Sequence, residues 1–197
     1  MDCRRWVERG IACGLIAFGA AAAANASTFG RVGLDYLVAE NELIVAGEVV
    51  DAQSYWNEPA TLIVTEVRLA VSDVLKGNLE ESEVTVMVPG GTIGERTNLV
   101  VGGAELKTGR SYVLFLRRGD LPGAKGVRMV SDHCQGVFEI QMGRDGLRAV
   151  SQAVRHDLVP DGAGQAEALG GAEGLPFNAM KQSVREMVQR GGRKEAK

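Results

Sequence analysis

Cysteine and histidine are scarce in this sequence, whose 197 residues contain three cysteines and two histidines. Cys3 and Cys13 lie near the N-terminus, and Cys134 is the one cysteine in the rest of the chain. A lone cysteine cannot form an intrachain disulfide, and His133 and His156 do not have the spacing of a histidine pair on a helix. We therefore expect no metal and no cofactor, and a fold held together by its hydrophobic core.

Long hydrophobic runs are also missing. The longest, residues 11–24, is shorter than the roughly 20 residues of a membrane-spanning helix. It follows three arginines and ends at Ala24-Asn25-Ala26, an order typical of a secretory signal. We expect residues 1–26 to be a signal peptide cleaved after Ala26, and the mature protein to be secreted or periplasmic with no transmembrane segment.

Basic residues are not in excess. The chain has 22 lysines and arginines against 25 acidic residues, a net charge of −3. Three basic and two acidic residues lie in the predicted signal, which leaves 19 basic and 23 acidic residues. A protein with a net negative charge repels the negatively charged phosphates of nucleic acids, so we expect no nucleic-acid partner. The remaining length fits one domain with its own core.

The most regular pattern in the chain is in residues 60–77, ATLIVTEVRLAVSDVLKG. Ile63, Val67 and Leu69 alternate with polar residues at the period of two that a half-buried strand shows. The apolar positions change phase between Ser72 and Val74, which predicts a bulge. A strand about three times the usual length can serve two sheets, and this favours a closed barrel.

Shorter patterns complete the expected fold, which is mainly β. We predict a helix over residues 34–41, strands over 43–50, 83–88, 111–116, 126–130 and 135–142, and an amphipathic helix from Pro176 to Gly191-Gly192. The segment 111–116 is the most apolar and should be buried on both sides. The expected domains are therefore a barrel over 27–156, a Gly/Ala-rich linker over 157–175, and a C-terminal helix with a basic tail over 176–197.

A polar segment over residues 51–59 predicts the loop after the first strand. It contains two adjacent aromatic residues, Tyr55 and Trp56, followed by Asn57 and Glu58. Large aromatic side chains in a polar loop are residue types that anchor interfaces. We predict that these four residues form a binding site, and the alternative is that the two aromatic rings cap the open end of the barrel.

Five segments carry a resemblance to a known family. They are VAENELIVAGEVV, the long strand ending in VLKG, EVTVMVPGG, LKTGRSYVLFL and CQGVFEI. Over about residues 34–140 the chain resembles secreted bacterial domains with a netrin-module or tissue-inhibitor-of-metalloproteinases-like fold. The resemblance implies a five- to six-stranded antiparallel OB-like barrel, with helices from both chain ends packed on it.

The resemblance also bears on function. In the animal inhibitors, a cysteine at the mature N-terminus chelates the zinc of the protease, but the predicted mature start here is Ser27-Thr28-Phe29. The zinc-chelating mechanism is therefore not implied. A binding role for the first interstrand loop is implied, with a protein such as a metalloprotease as the partner.

A second function class stays open because Ser131, Asp132, His133 and Cys134 are residue types found in hydrolases. Adjacent residues of a strand point to opposite faces, so we expect His133 and Cys134 not to share a site, and Cys134 to be a buried apolar residue. The alternatives are a noncatalytic exported binding module and a small secreted hydrolase using the 90–108 loop and the 131–134 segment. A hydrolase requires its catalytic groups to converge on one cleft.

Overall fold

A computed structural model describes residues 31–58, 60–155 and 171–195, which form ten strands and two helices. The predicted signal peptide, His156 and most of the predicted linker lie outside these residues. The helices are α1 (Leu34–Glu40) and α2 (Phe177–Glu195). The strands are β1 (Leu43–Trp56), β2 (Ile63–Lys76), β3 (Glu83–Pro89), β4 (Gly91–Ile93), β5 (Arg96–Asn98), β6 (Ser111–Leu121), β7 (Ala124–Val130), β8 (Val137–Gly143), β9 (Gly146–Ser151) and β10 (Leu175–Pro176). The fold is mainly β, as predicted.

The long antiparallel pair of β1 and β2 organises the sheet. The predicted phase change in β2 is confirmed, because the register shifts between Ala46 and Gly47 and leaves Ser72 as the extra residue. Two further shifts leave Leu75 as an extra residue on β2 and Val50 as an extra residue on β1. The prediction of a loop over residues 51–59 is wrong for residues 51–56, because these residues continue β1 and pair with β2.

The remaining strands extend the sheet in the order β1-β2-β3-β7-β6-β8-β9-β10, and β6 also pairs with β1. β3 and β7 run parallel and meet at Met87 and Met129, whereas the other described pairs are antiparallel. The first half of β6 is buried throughout, from Tyr112 to Leu116, as its sequence predicts. The strands β4, β5, β9 and β10 were not predicted.

Two hydrophobic cores lie on opposite faces of the main sheet. The inner core consists of Leu43, Val45, Val49, Val67, Leu69, Val84, Val86, Val88, Tyr112, Leu114, Leu116 and Val137. The helix-side core consists of Leu37, Val38, Ile44, Ala46, Leu75, Val113, Phe115, Phe138, Ala149, Met180 and Val184. Side chains of β1 and β6 alternate between the two cores, which is why these strands are apolar on both faces.

The helix α2 packs its apolar stripe on the helix-side core, as predicted, with Met180 and Val184 fully buried. The predicted end at Gly191-Gly192 is wrong, because the helix continues to Glu195. Glycine lowers helix stability by about 1 kcal/mol relative to alanine but does not force the helix to end. Asp73 of β2 accepts hydrogen bonds from Lys181 (3.2 Å) and Arg185 (2.8 Å), which ties α2 to the sheet.

Candidate functional site

Tyr55 and Trp56 lie at the end of β1 and are 39% and 37% exposed. They pair with Val64 and Ile63 of β2, and adjacent residues in a strand face opposite sides, so the two rings lie on opposite faces of the sheet. The Tyr55 hydroxyl donates to Met87 Sδ at 3.8 Å. The pKa of Tyr55 is raised mainly by its partial burial and to a smaller extent by the negative charge of Glu66.

Asn57 is buried within the turn and does not lie on the surface as a binding residue would. Its Oδ1 accepts hydrogen bonds from the backbone amides of Thr61 and Leu62, both at 2.9 Å. Its Nδ2 donates to the carbonyl of Pro122 at 3.0 Å, which joins the β1–β2 turn to the β6–β7 turn. Asn57 therefore positions the turn, while Glu58 beside it is exposed. Asparagine is a common turn residue, and this preference is a sequence signal for the role.

A shallow surface continues from Tyr55 across the sheet. Register places Val64 and Met87 on the Tyr55 side, and both are nearly fully buried. Met87 meets Met129 of β7, which in turn pairs with Arg117 of β6. Beside them is a cleft of about 360 Å³, here called the first cleft, whose lining includes Met87, Met129 and Arg117. Through its hydroxyl, Tyr55 thus contacts one of the residues that line this mainly apolar cleft.

The connection between β3 and β6 forms a second cleft of about 510 Å³. Leu99 and Val101 on this connection are 83% and 58% exposed, although both are apolar. The connection is fastened to the end of the long hairpin, because Thr65 Oγ1 donates to the Gly90 carbonyl at 2.7 Å and is 2.9 Å from Ser54 Oγ. The exposed apolar side chains of this connection therefore lie near the end of β1 that carries Tyr55 and Trp56.

The 131–134 segment is brought against the 90–108 loop, since the Cys134 amide donates to the Gly102 carbonyl at 2.9 Å. The expectation that His133 and Cys134 lie in a strand is wrong: a 3-10 helix spans His133–Gly136. Asp132 and His133 both have positive φ angles, 51° and 60°, and this left-handed turn ends any extended structure. Asp132 and His133 line the first cleft.

The hydroxyl and thiol groups of this segment are buried. Ser131 is fully buried, and its hydroxyl donates to Asp132 Oδ2 at 2.5 Å. Cys134 is 2% exposed, and burial, supplemented by the charge of Glu105, raises the pKa of its thiol. The described lining of the first cleft includes no serine, cysteine, threonine or lysine. Asp132 and His133 are positioned to move a proton there, but covalent catalysis by a serine, threonine, cysteine or lysine would lack its nucleophile among these residues.

Within residues 31–58, 60–155 and 171–195, no three or more histidine, cysteine, aspartate or glutamate side chains are grouped so that they could hold a metal ion. In the same residues, neither helix combines the length and apolar character that crossing a bilayer requires.

The chain was compared with known proteins. No family model matches it, and no curated protein matches it significantly in sequence.

Proposed function

We propose that this protein is an exported, noncatalytic binding module built on a closed five-stranded barrel of the OB type, as in the netrin-module and inhibitor-like domains that its sequence resembles. The strand pairings support closure. Each of β1, β2, β3, β6 and β7 pairs with two of the other four, because β1 joins β2 and β6 while β7 joins β3 and β6. A set of pairings without an edge strand is the requirement for a barrel.

The two cores support the same architecture. The inner core gathers side chains from β1, β2, β3 and β6, which is expected for a barrel interior. The helix-side core gathers α1, α2, β8 and β9 on the outer face of β1 and β6. This arrangement agrees with helices from both chain ends packed against the outside of a barrel.

The observation that carries the binding function is the exposure of Tyr55 and Trp56 on a positioned strand end. Both are paired residue by residue with β2, and the turn beyond them is held by four hydrogen bonds of the Asn57 side chain. Aromatic side chains held in this way lose little conformational freedom on binding and are enriched among energetically dominant interface residues. We propose that Tyr55, Trp56 and Glu58 contact an extracellular or periplasmic protein such as a metalloprotease.

Trp56→Ala tests this proposal, with Tyr36→Ala as the matched control because Tyr36 is an exposed aromatic residue (43%) on α1. The wild-type protein and both variants are used to capture partners from the native secretome, with metalloproteases examined first, and captured proteins are titrated. We expect Trp56→Ala to weaken binding by about 2 kcal/mol, roughly 30-fold in Kd, with little change in melting temperature. Equal affinity combined with a large drop in melting temperature would instead identify Trp56 as a cap on the barrel end.

A hydrolase remains the second candidate because the 90–108 loop and the 131–134 segment meet at the first cleft. His133 would have to activate water directly, since Ser131 and Cys134 are buried. Hydrolysis of ester and peptide substrates by the wild-type protein, lost in His133→Ala with the fold retained, would support this function over the binding module.

A further inference from the structure

The β6–β7 hairpin concentrates positive charge in an acidic protein. Residues 117–130 contain Arg117, Arg118, Lys125 and Arg128 but one acidic residue, Asp120, so this segment has a net charge of +3 in a chain of −3. Within the described part of the chain, Arg117, Lys125 and Arg128 have no ion pair and donate no side-chain hydrogen bond. Much of the hairpin's charge is therefore available to a ligand.

Two of these cations occupy paired positions on one face of the hairpin. Arg118 and Arg128 are directly opposite in the antiparallel register of β6 and β7. Side chains in that relation start about 5 Å apart, and like charges there destabilise the strand pair. Arg128 is also half-buried, so its charge is partly desolvated without a partner among the described residues. An anion between the two guanidinium groups would remove both costs.

Arg118 is held in position for such a ligand. Its Nη1 donates to the Gly126 carbonyl at 2.9 Å, and the Gly126 amide donates to Asp120 Oδ1 at 2.8 Å. Glu42 Oε2 is 4.0 Å from Arg118 Nε, at the limit of an ion pair, and both side chains are more than half exposed. A pair of this kind contributes little and leaves most of the charge of Arg118 uncompensated.

We propose that Arg118 and Arg128 form a binding site for a phosphate group. A guanidinium donates two parallel hydrogen bonds to phosphate oxygens, and two such groups match the charge of a phosphomonoester dianion. The phosphate can come from a lipid headgroup or from a soluble molecule, since both present the same oxygens. Arg117 pairs with Met129 and therefore lies on the opposite face of the hairpin, outside this site.

Thermal unfolding of the full chain tests the site, with inorganic phosphate as the probe and sodium chloride of equal ionic strength as the reference. Phosphate at about twenty times its Kd should raise the melting temperature of the wild type and of Arg117→Gln by about 4 °C. Arg128→Gln should not respond, and without phosphate at low salt it should melt no lower than the wild type, because the like-charge contact is gone. Arg128→Lys keeps the charge but loses the planar guanidinium group, so phosphate should raise its melting temperature only slightly. This variant tests the site if Arg128→Gln fails to fold.

Vesicles separate the two sources of phosphate. Phosphatidylcholine vesicles with and without phosphatidic acid are sedimented with the wild-type protein and with Arg118→Gln. Retention that requires both phosphatidic acid and Arg118 identifies a headgroup, whereas a response to free phosphate without vesicle retention identifies a soluble ligand. The proposal is overturned if phosphate acts no more strongly than chloride and vesicles retain nothing, or if the Arg118 and Arg128 variants respond as the wild type does.

Discussion

Gly47→Ala places one methyl group where the backbone of β2 leaves no room for a side chain on β1. Gly47 lies in β1 and pairs with Val71 of β2 on one side and with Tyr112 of β6 on the other. A Cβ atom built at this position overlaps the carbonyl oxygen of Ala70, and it lies 3.0 Å from the Ala70 carbonyl carbon and 3.1 Å from a methyl carbon of Leu69. The nearest atoms belong to backbone, so a side-chain rotation cannot relieve the overlap.

The magnitude follows from that geometry. Overpacking a well-packed interior costs typically 1–3 kcal/mol, and we expect the upper end, about 3 kcal/mol, because the displaced backbone belongs to the central strand pair. For a domain of this size each kcal/mol shifts the melting temperature by about 2–4 °C. Gly47→Ala should therefore melt about 6–12 °C below the wild type, and its urea midpoint should fall accordingly.

Gly191→Ala is the matched control, since the chemical change is identical but the surroundings differ. Gly191 lies in α2, where an added Cβ meets nothing within 4 Å. Alanine there should stabilise the helix by up to about 1 kcal/mol, so the two variants should change stability in opposite directions. Circular dichroism melts of the three proteins measure this. If Gly47→Ala melted within about 1 °C of the wild type, the close approach of β1 to β2 would be refuted.

Three further predictions concern the core, the anchor of α2 and the buried thiol. Val67→Asp should prevent cooperative unfolding by burying a charge in the inner core, whereas Val50→Asp, at an exposed bulge residue, should not. Asp73→Asn should lower stability by about 1 kcal/mol at low salt and by less at high salt, because two cations of α2 lose their partner; a salt-independent effect would contradict this. Burial raises the pKa of Cys134 above 9.0, so its stabilising contribution is present below pH 9 and lost as the pH rises further; urea titrations above pH 9 should show a steeper loss for wild type than for Cys134→Ala.

The parts of the fold that could be predicted are those where burial imposes a period on the sequence. In β2, Val67 and Leu69 are buried in the inner core while Arg68 is exposed, and the register slips at Ser72 where the alternation changes phase. In α2, Met180 and Val184 are buried four residues apart. In each element one face is buried in a core, and burial of one face places apolar residues at the period of a strand or of a helix.

The parts that could not be predicted depend on long-range pairing or on local backbone torsions. β10 has two residues, and its pairing with Ala149 and Arg148 of β9 joins segments more than twenty residues apart. The turn at Asp132 and His133 uses left-handed torsions that both residue types tolerate but do not require. Neither feature leaves a period in the sequence.

The end of β1 is a further feature that leaves no period in the sequence, and it is also the proposed binding site. Gln53, Ser54 and Tyr55 are not buried, so no hydrophobic alternation marks them as a strand, and their extended form depends on hydrogen bonds to β2. When backbone hydrogen bonds hold a strand in place, its side chains do not have to pack in a hydrophobic core. The polar composition that led to a loop prediction for residues 51–59 is therefore also the condition that allows Tyr55 and Trp56 to project from a rigid support. A rigid paired strand needs less ordering on binding than a loop would, so it is the better support for the proposed recognition surface.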